Sequence, residues 1–249
     1  MATIDYLFTT ADGQFIAGTH NGEDLLVSFN AGATLKGGSG GDIIDDAVGF
    51  AVMHGGAGHD TIIGSTIGAD TIYGGKGDEI IYVGTGNSLV YAQTGNDVIF
   101  AGSGNSSIFG GKGADLIYAG SGENTIHGGT GFATIIGQSG NGVYYADKGN
   151  DSIVGGTGDQ TIVGGTGANT VTGGSGADTF IYHTTTFGHE IINNFTASDT
   201  LALTATHPDH AIFTQNGANV EVTFNNTLGD ITLTGVTTAL VEAHTTYTI

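Results

Sequence analysis

The sequence has no cysteine, no tryptophan and a single proline (Pro208), and only four of its 249 residues are cationic. Each scarcity closes a class of function. Without cysteine there are no disulfide staples and no thiolate zinc sites. The four cations, all lysine (Lys36, Lys76, Lys112, Lys148), face 24 carboxylates for a formal charge of −20. A phosphate backbone and an anionic bilayer surface both need basic partners, so no nucleic-acid partner is expected. No stretch approaches the roughly 18 apolar residues of a membrane span, so no membrane insertion is expected. The start, MATIDYLFTT, lacks the basic and apolar regions of a general secretory signal. Glycine is abundant at 47 residues, but one proline rules out collagen, and 39% hydrophobic content argues against disorder. So many carboxylates with so few internal counter-charges point to cations from outside.

A period of nine runs from Gly37 to Ile181. The segment divides into sixteen blocks, all of nine residues except the ten-residue GSTIGADTIY at 64–73. Typical blocks are GGSGGDIID (37–45), GGKGADLIY (110–118) and GGSGADTFI (173–181). The eighth position is apolar in every block: Ile44, Met53, Ile62, Ile72, Ile81, Val90, Ile99, Ile108, Ile117, Ile126, Ile135, Tyr144, Ile153, Ile162, Val171 and Phe180. The fourth is always glycine, with Gly68 taking that place in the long block. Glycine allows the φ > 0 conformations of a tight turn, and alternate residues of a strand face opposite sides. Each block therefore reads as a glycine turn followed by a three-residue strand whose central residue points inward. Two blocks close one coil of 18 residues, giving about eight turns and a rod of about 38 Å at ~4.8 Å per strand.

The blocks resemble the repeats-in-toxin nonapeptide G-G-x-G-x-D-x-U-x, a calcium-binding parallel β-roll. The resemblance implies an all-β solenoid at 37–181, with β-rich caps at 1–36 and 182–249. It also implies that the sixth-position acid and loop carbonyls ligate Ca2+, which takes six to eight oxygens. Odd and even blocks fall on opposite edges of the roll. The odd edge carries Asp42, Asp60, Glu79, Asp97, Asp115, Ala133, Asp151 and Asn169; the even edge carries Ala51, Asp70, Ser88, Ser106, Asn124, Gly142, Gln160 and Asp178. Calcium is expected mainly along the odd edge, on Asp42, Asp60, Glu79, Asp97, Asp115 and Asp151, with the Asp151 site weaker between Ala133 and Asn169. The isolated Asp70 and Asp178 fit either a metal site or an ordinary turn, and even-edge Ser, Asn and Gln are able to bond the loops without metal.

Lys76, Lys112 and Lys148 recur every 36 residues beside the odd-edge acids, either relieving their repulsion, reaching a neighbouring molecule or solubilising the surface. Outward residues form apolar ladders, richest at Ile80/Tyr82, Val98/Phe100 and Leu116/Tyr118, which imply either an interaction surface or cover by a folded-back segment. Apolar stretches IDYLF, QFIAG and DLLVSF precede the repeats. GHEIINNFTASDTLAL (188–203) resembles the segment that follows such repeats, with Glu190 where Asp is usual, and a C-terminal region of this kind implies uncleaved type I secretion. Strands are expected in 218–224 and 229–236. Nine scattered histidines form no H-E-x-x-H motif, no G-x-S-x-G is present, and 36 residues before the repeats leave no room for a catalytic domain, so no enzyme is expected. These observations suggest a secreted, calcium-stabilised structural protein, extracellular or at the cell surface, that partners with itself in a filament, matrix or surface layer. The alternative is an adhesin or ice-binding module, for which Thr85-Gly86-Asn87 and Thr94-Gly95-Asn96 match a Thr-Gly-Asn array that Ser103, Ser121 and Ser139 interrupt.

Overall fold

The computed structural model describes residues 5–8, 13–18, 22–183, 187–204, 211–224 and 229–248. The Pro208 turn, His20, His207 and His210 lie outside the described residues. The chain winds into two parallel sheets that face each other across one core. Odd blocks feed the first sheet through strands such as Ile80–Tyr82, Val98–Phe100 and Leu116–Tyr118. Even blocks feed the second through Thr71–Lys76, Leu89–Thr94, Ser107–Gly113 and Thr125–Gly131. Register advances by 18 residues per coil, as in Ile99↔Ile117 and Val90↔Ile108. Across the ten-residue block it advances by 19, as in Ile62↔Ile81, so the extra residue is absorbed in a loop without disturbing the inward column.

That column is the core. All sixteen eighth-position side chains are at most 1% exposed. Each is flanked by partly or fully exposed neighbours, as in the exposed–buried–exposed pattern of Ile80–Tyr82. Burying one such side chain contributes about 1.5–3 kcal/mol, so the column is a large part of what holds the coils together.

The solenoid has about ten turns rather than the eight expected from the repeats alone. Strands outside the repeats join the same ladders. Asp24–Ser28 pairs in parallel with Ile43–Asp46, and Phe15–Ala17 with Thr34–Ser39. Beyond the repeats, His189–Asn193 extends the first sheet and Thr200–Thr204 the second. Those residues lack the double glycine but keep inward apolar side chains at Leu26, Leu35, Ile192 and Leu201. The first sheet ends in an antiparallel hairpin, Ile212–Asn216 with Asn219–Thr223, which pairs with Asp230–Leu233. A short helix, Thr238–Ala243, capped by the Thr237 hydroxyl, precedes the last strand, Thr245–Thr248.

The two edges differ in backbone. Second-sheet strands run on into the odd-edge loops, so those loops pair in register, as in Gln93↔Gly111 and Thr94↔Lys112. Glycine is required there: Gly111 has φ 110, and a Cβ on it would strike the Gln93 carbonyl one coil earlier.

Candidate metal centre

Each sixth-position acid sits at the end of a loop, one residue before its strand. On the odd edge these residues form an 18-residue ladder of their own. The N–H of Asp24 donates to Asp42 Oδ1 (2.8 Å), that of Asp42 to Asp60 Oδ1 (2.8 Å), that of Glu79 to Asp97 Oδ1 (2.9 Å) and that of Asp97 to Asp115 Oδ1 (3.0 Å). Farther along, Ala133 N–H donates to Asp151 Oδ1 (2.7 Å). Asp42, Asp60, Glu79, Asp97, Asp115 and Asp151 are all 1–3% exposed. The structure thus brings the six predicted residues into one buried row, interrupted at Ala133.

One oxygen of each aspartate is left over. Oδ2 of Asp42, Asp60, Asp97, Asp115 and Asp151 is buried without a hydrogen-bond partner, as are both oxygens of Glu79. These oxygens share a cradle with loop carbonyls. A Cβ on Gly110 would lie 2.7 Å from Asp115 Oδ2 and 2.8 Å from the carbonyl oxygen of Gly128, one coil on. Gly37 and Gly55 repeat the arrangement with Asp42 and Asp60. At these three blocks the first glycine leaves the oxygen-lined space open, whereas the blocks of Asp97 and Asp151 begin with Ala92 and Ala146.

Burial without a counter-charge makes ionisation costly. Burial pushes Asp42, Asp115 and Asp151 up to about 6, against hydrogen bonds from the preceding coil that pull them down. It also raises Asp60 and Asp97. Glu79 is pushed to about 9, by burial first and then by the adjoining Asp97 carboxyl. The lysines at 76, 112 and 148 are exposed and stand in register with Thr94 and Thr130 between them. Among the described residues none of them forms an ion pair with this row.

The even edge has the same ladder built mostly from neutral groups. Asp70 N–H donates to Ser88 Oγ, Ser88 N–H to Ser106 Oγ, and Ser106 N–H to Asn124 Oδ1. Here amide nitrogens occupy the carbonyls. Asn124 Nδ2 donates to the carbonyls of Ala119 (2.6 Å) and Gly122 (3.2 Å), and Gln160 Nε2 donates to that of Gly140 (2.9 Å). These loops are closed by side-chain N–H groups where the six odd-edge acids present only oxygens. Replacing Asn124 by Asp removes that donor and orphans two carbonyls beside a new buried charge. Asn124→Asp is expected to lower stability in chelator by about 3 kcal/mol, mostly recovered in calcium, as read by urea melts.

A model of the RTX calcium-binding nonapeptide repeat, four copies long, matches residues 36–66, 54–90, 91–126, 118–153 and 154–182, well over half of the chain. The chain belongs to the RTX calcium-binding repeat family. No curated protein matches it. Among solved structures it is similar to the extracellular lipase LipA from Serratia marcescens, with 19% identity and a TM-score of 0.43. The match covers 78% of this chain and 40% of the lipase chain.

The RTX residues present fit a hard cation on their own chemistry. Unpartnered carboxylate oxygens, facing carbonyls and glycine-held space are the oxygen donors Ca2+ takes. Among the described residues no three Asp, Glu or His side chains converge, so loop carbonyls must complete any such shell. The RTX pattern also undercounts the acids of this type. Asp24, one coil before Asp42, is 2% exposed and extends the row; its signal was Asp24-Leu25-Leu26-Val27, set 18 residues before Asp42 to Asp45. Asp178 on the even edge has the odd-edge signature, with Oδ1 taking Gln160 N–H and Oδ2 unpartnered. Asp70 does not, because the extra residue of its block brings Ser65 N–H to Oδ2 (2.7 Å). Glu190 Oε1 accepts from Asn169 Nδ2, and burial pushes this carboxyl up to about 8.

Proposed function

We propose that this chain is a secreted, calcium-folded β-roll with a non-catalytic structural role outside the cell, acting through association with further copies of itself. The observation that carries the reading is the row of buried, unpartnered carboxylate oxygens along one edge. When bound there, calcium supplies positive charge and completes its shell with loop carbonyls. The chain's own contribution is to hold each aspartate Oδ1 by a backbone N–H, bury Oδ2 away from water and, at Asp42, Asp60 and Asp115, set it beside the neighbouring coil's glycine carbonyl. Where free calcium is scarce, repulsion along the row keeps the chain open, and export into a calcium-rich medium folds it. Secretion is typical of proteins with these repeats. The test is a calcium titration followed by far-UV circular dichroism at pH 7.5. A cooperative gain of β signal is expected; a full signal before any calcium is added would contradict the proposal.

Self-association draws on the outward faces. From Thr61 to Thr172 the outward positions of the first sheet hold no charged residue. Tyr82, Phe100 and Tyr118 stack in one column with centroids 5.0 Å apart, and Tyr82 is 44% exposed. On the second sheet His54, Tyr73, Tyr91, Phe109, His127 and Tyr145 stack in a longer one. Within this span charge is confined to edges and loops, so the first-sheet faces are able to meet without repulsion, while Lys36 and Asp45 place charge at the outward positions near the start of the roll. Replacing Tyr82, Phe100 and Tyr118 by Ser leaves Ile81, Ile99 and Ile117 in the core. It forfeits two ring stacks, about 1–3 kcal/mol in all. In excess calcium the variant is expected to stay folded and lose concentration-dependent light scattering. A wild type that remains monomeric at high concentration would exclude this part of the proposal.

A further inference from the structure

Asp46 stands where the nonapeptide calls for glycine. It opens block 46–54, DAVGFAVMH, which has no double glycine. It is the last residue of strand Ile43–Asp46, with its side chain inward and 1% exposed. Asp46 Oδ2 accepts from Gly49 N–H (2.6 Å), which closes the loop it begins. Asp46 Oδ1 is buried and has no partner. The far end of that loop is closed by a second acid, since Ala51 N–H donates to Asp70 Oδ1 (3.0 Å). Asp70 Oδ2 is held by Ser65 N–H. The two carboxyls lie within hydrogen-bonding reach of each other; burial pushes Asp70 up to about 6, and the Asp46 charge adds to it.

We propose that Asp46 and Asp70 form a separate site for one hard divalent cation on the even edge, in which a nonapeptide acid is joined by Asp46, a residue outside the nonapeptide pattern. Two acids both under 3% exposed, with no amide donor such as Asn124 or Gln160 provides farther along this edge, leave Asp46 Oδ1 buried without a donor. Three backbone N–H groups fix the pair, so the orphan oxygen cannot swing to solvent without breaking the loop closure at Gly49. A cation bridging Asp46 Oδ1 and Asp70 satisfies that oxygen and removes the repulsion. The chemically distinct alternative is a proton shared between the two carboxyls. The site depends on neither the odd-edge row nor the reading placed on it.

Calcium is the probe. Bound calcium is counted by elemental analysis on folded wild type, Asp46→Asn, Asp70→Asn and the double variant, at saturating free calcium and pH 7.5. Each single variant and the double variant are expected to lose the same one ion, while the odd-edge ions remain. An unchanged count in Asp46→Asn would overturn the site and leave the shared proton. Should the variants fail to fold, anomalous scattering from wild-type crystals grown in strontium decides alone. A peak within about 2.6 Å of Asp46 Oδ1 supports the site, and an empty position there overturns it even where odd-edge peaks are strong.

Discussion

Asp97→Asn is expected to stabilise the chain in chelator and destabilise it in calcium. The substitution keeps the oxygen that accepts the Glu79 N–H. It replaces the orphaned Oδ2 by an amide nitrogen, which donates to loop carbonyls as Asn124 Nδ2 does on the other edge. Without calcium, a buried charge and an unpaired oxygen disappear together, which is worth about 1–3 kcal/mol. With calcium, a charged ligand is lost, and the calcium midpoint of folding rises by about tenfold or more, the equivalent of about 1.4 kcal/mol per decade. Ser88→Ala, at the same ladder position on the even edge, costs about 1 kcal/mol in both conditions. Urea melts of the three proteins with and without calcium read the difference. An Asp97→Asn effect of one sign in both conditions would sever the edge from the metal.

The second large effect is an inverted pH dependence in chelator. Carboxyls whose folded-state values are raised favour folding fully below their unfolded value of about 4 and lose that contribution as pH rises through the folded value. For Asp42, Asp115 and Asp151 the loss runs from about 4 and is complete near 6, and for Glu190 and Glu79 it is complete near 8 and 9. Holding one aspartate of the first group ionised at pH 7.5 costs roughly 3 kcal/mol, so three cost on the order of 10 kcal/mol. Domains of this size have about 5–15 kcal/mol in total. The chain in chelator is therefore expected to be largely unfolded at pH 7.5 and to gain β signal as pH falls to about 5.5. In calcium the order reverses, because protons then compete with the metal for the same oxygens. A chelated protein that is equally folded at both pH values would contradict the burial argument.

The core was legible because an inward position every nine residues has no other use for a large apolar side chain. Ile44 through Phe180 needed only the period. The six odd-edge acids were legible for the same reason: the period places them on one edge, and the structure buries them there. The two extra coils were harder, since residues 5–36 keep the inward Leu26 and Leu35 but not the paired glycines that mark a block. Asp46 could not be read from the repeat at all, because it occupies a first position where no acid is expected. That Asp70 lacks the free oxygen Asp178 keeps depends on one inserted residue near Ser65, and loop geometry of that kind is not a property of composition or spacing. The neutral even edge was half legible: Ser, Asn and Gln promised hydrogen bonds. That the amides of Asn124 and Gln160 point at the loop carbonyls emerged only from the fold.

The most direct test of a calcium-bearing odd edge is anomalous diffraction from crystals grown in calcium. The account predicts a row of peaks beside Asp42, Asp60, Asp97 and Asp115, each sharing a loop carbonyl with the next coil, and none beside Ser88, Ser106 and Asn124. Matching rows on both edges, or an odd edge without peaks, would contradict it.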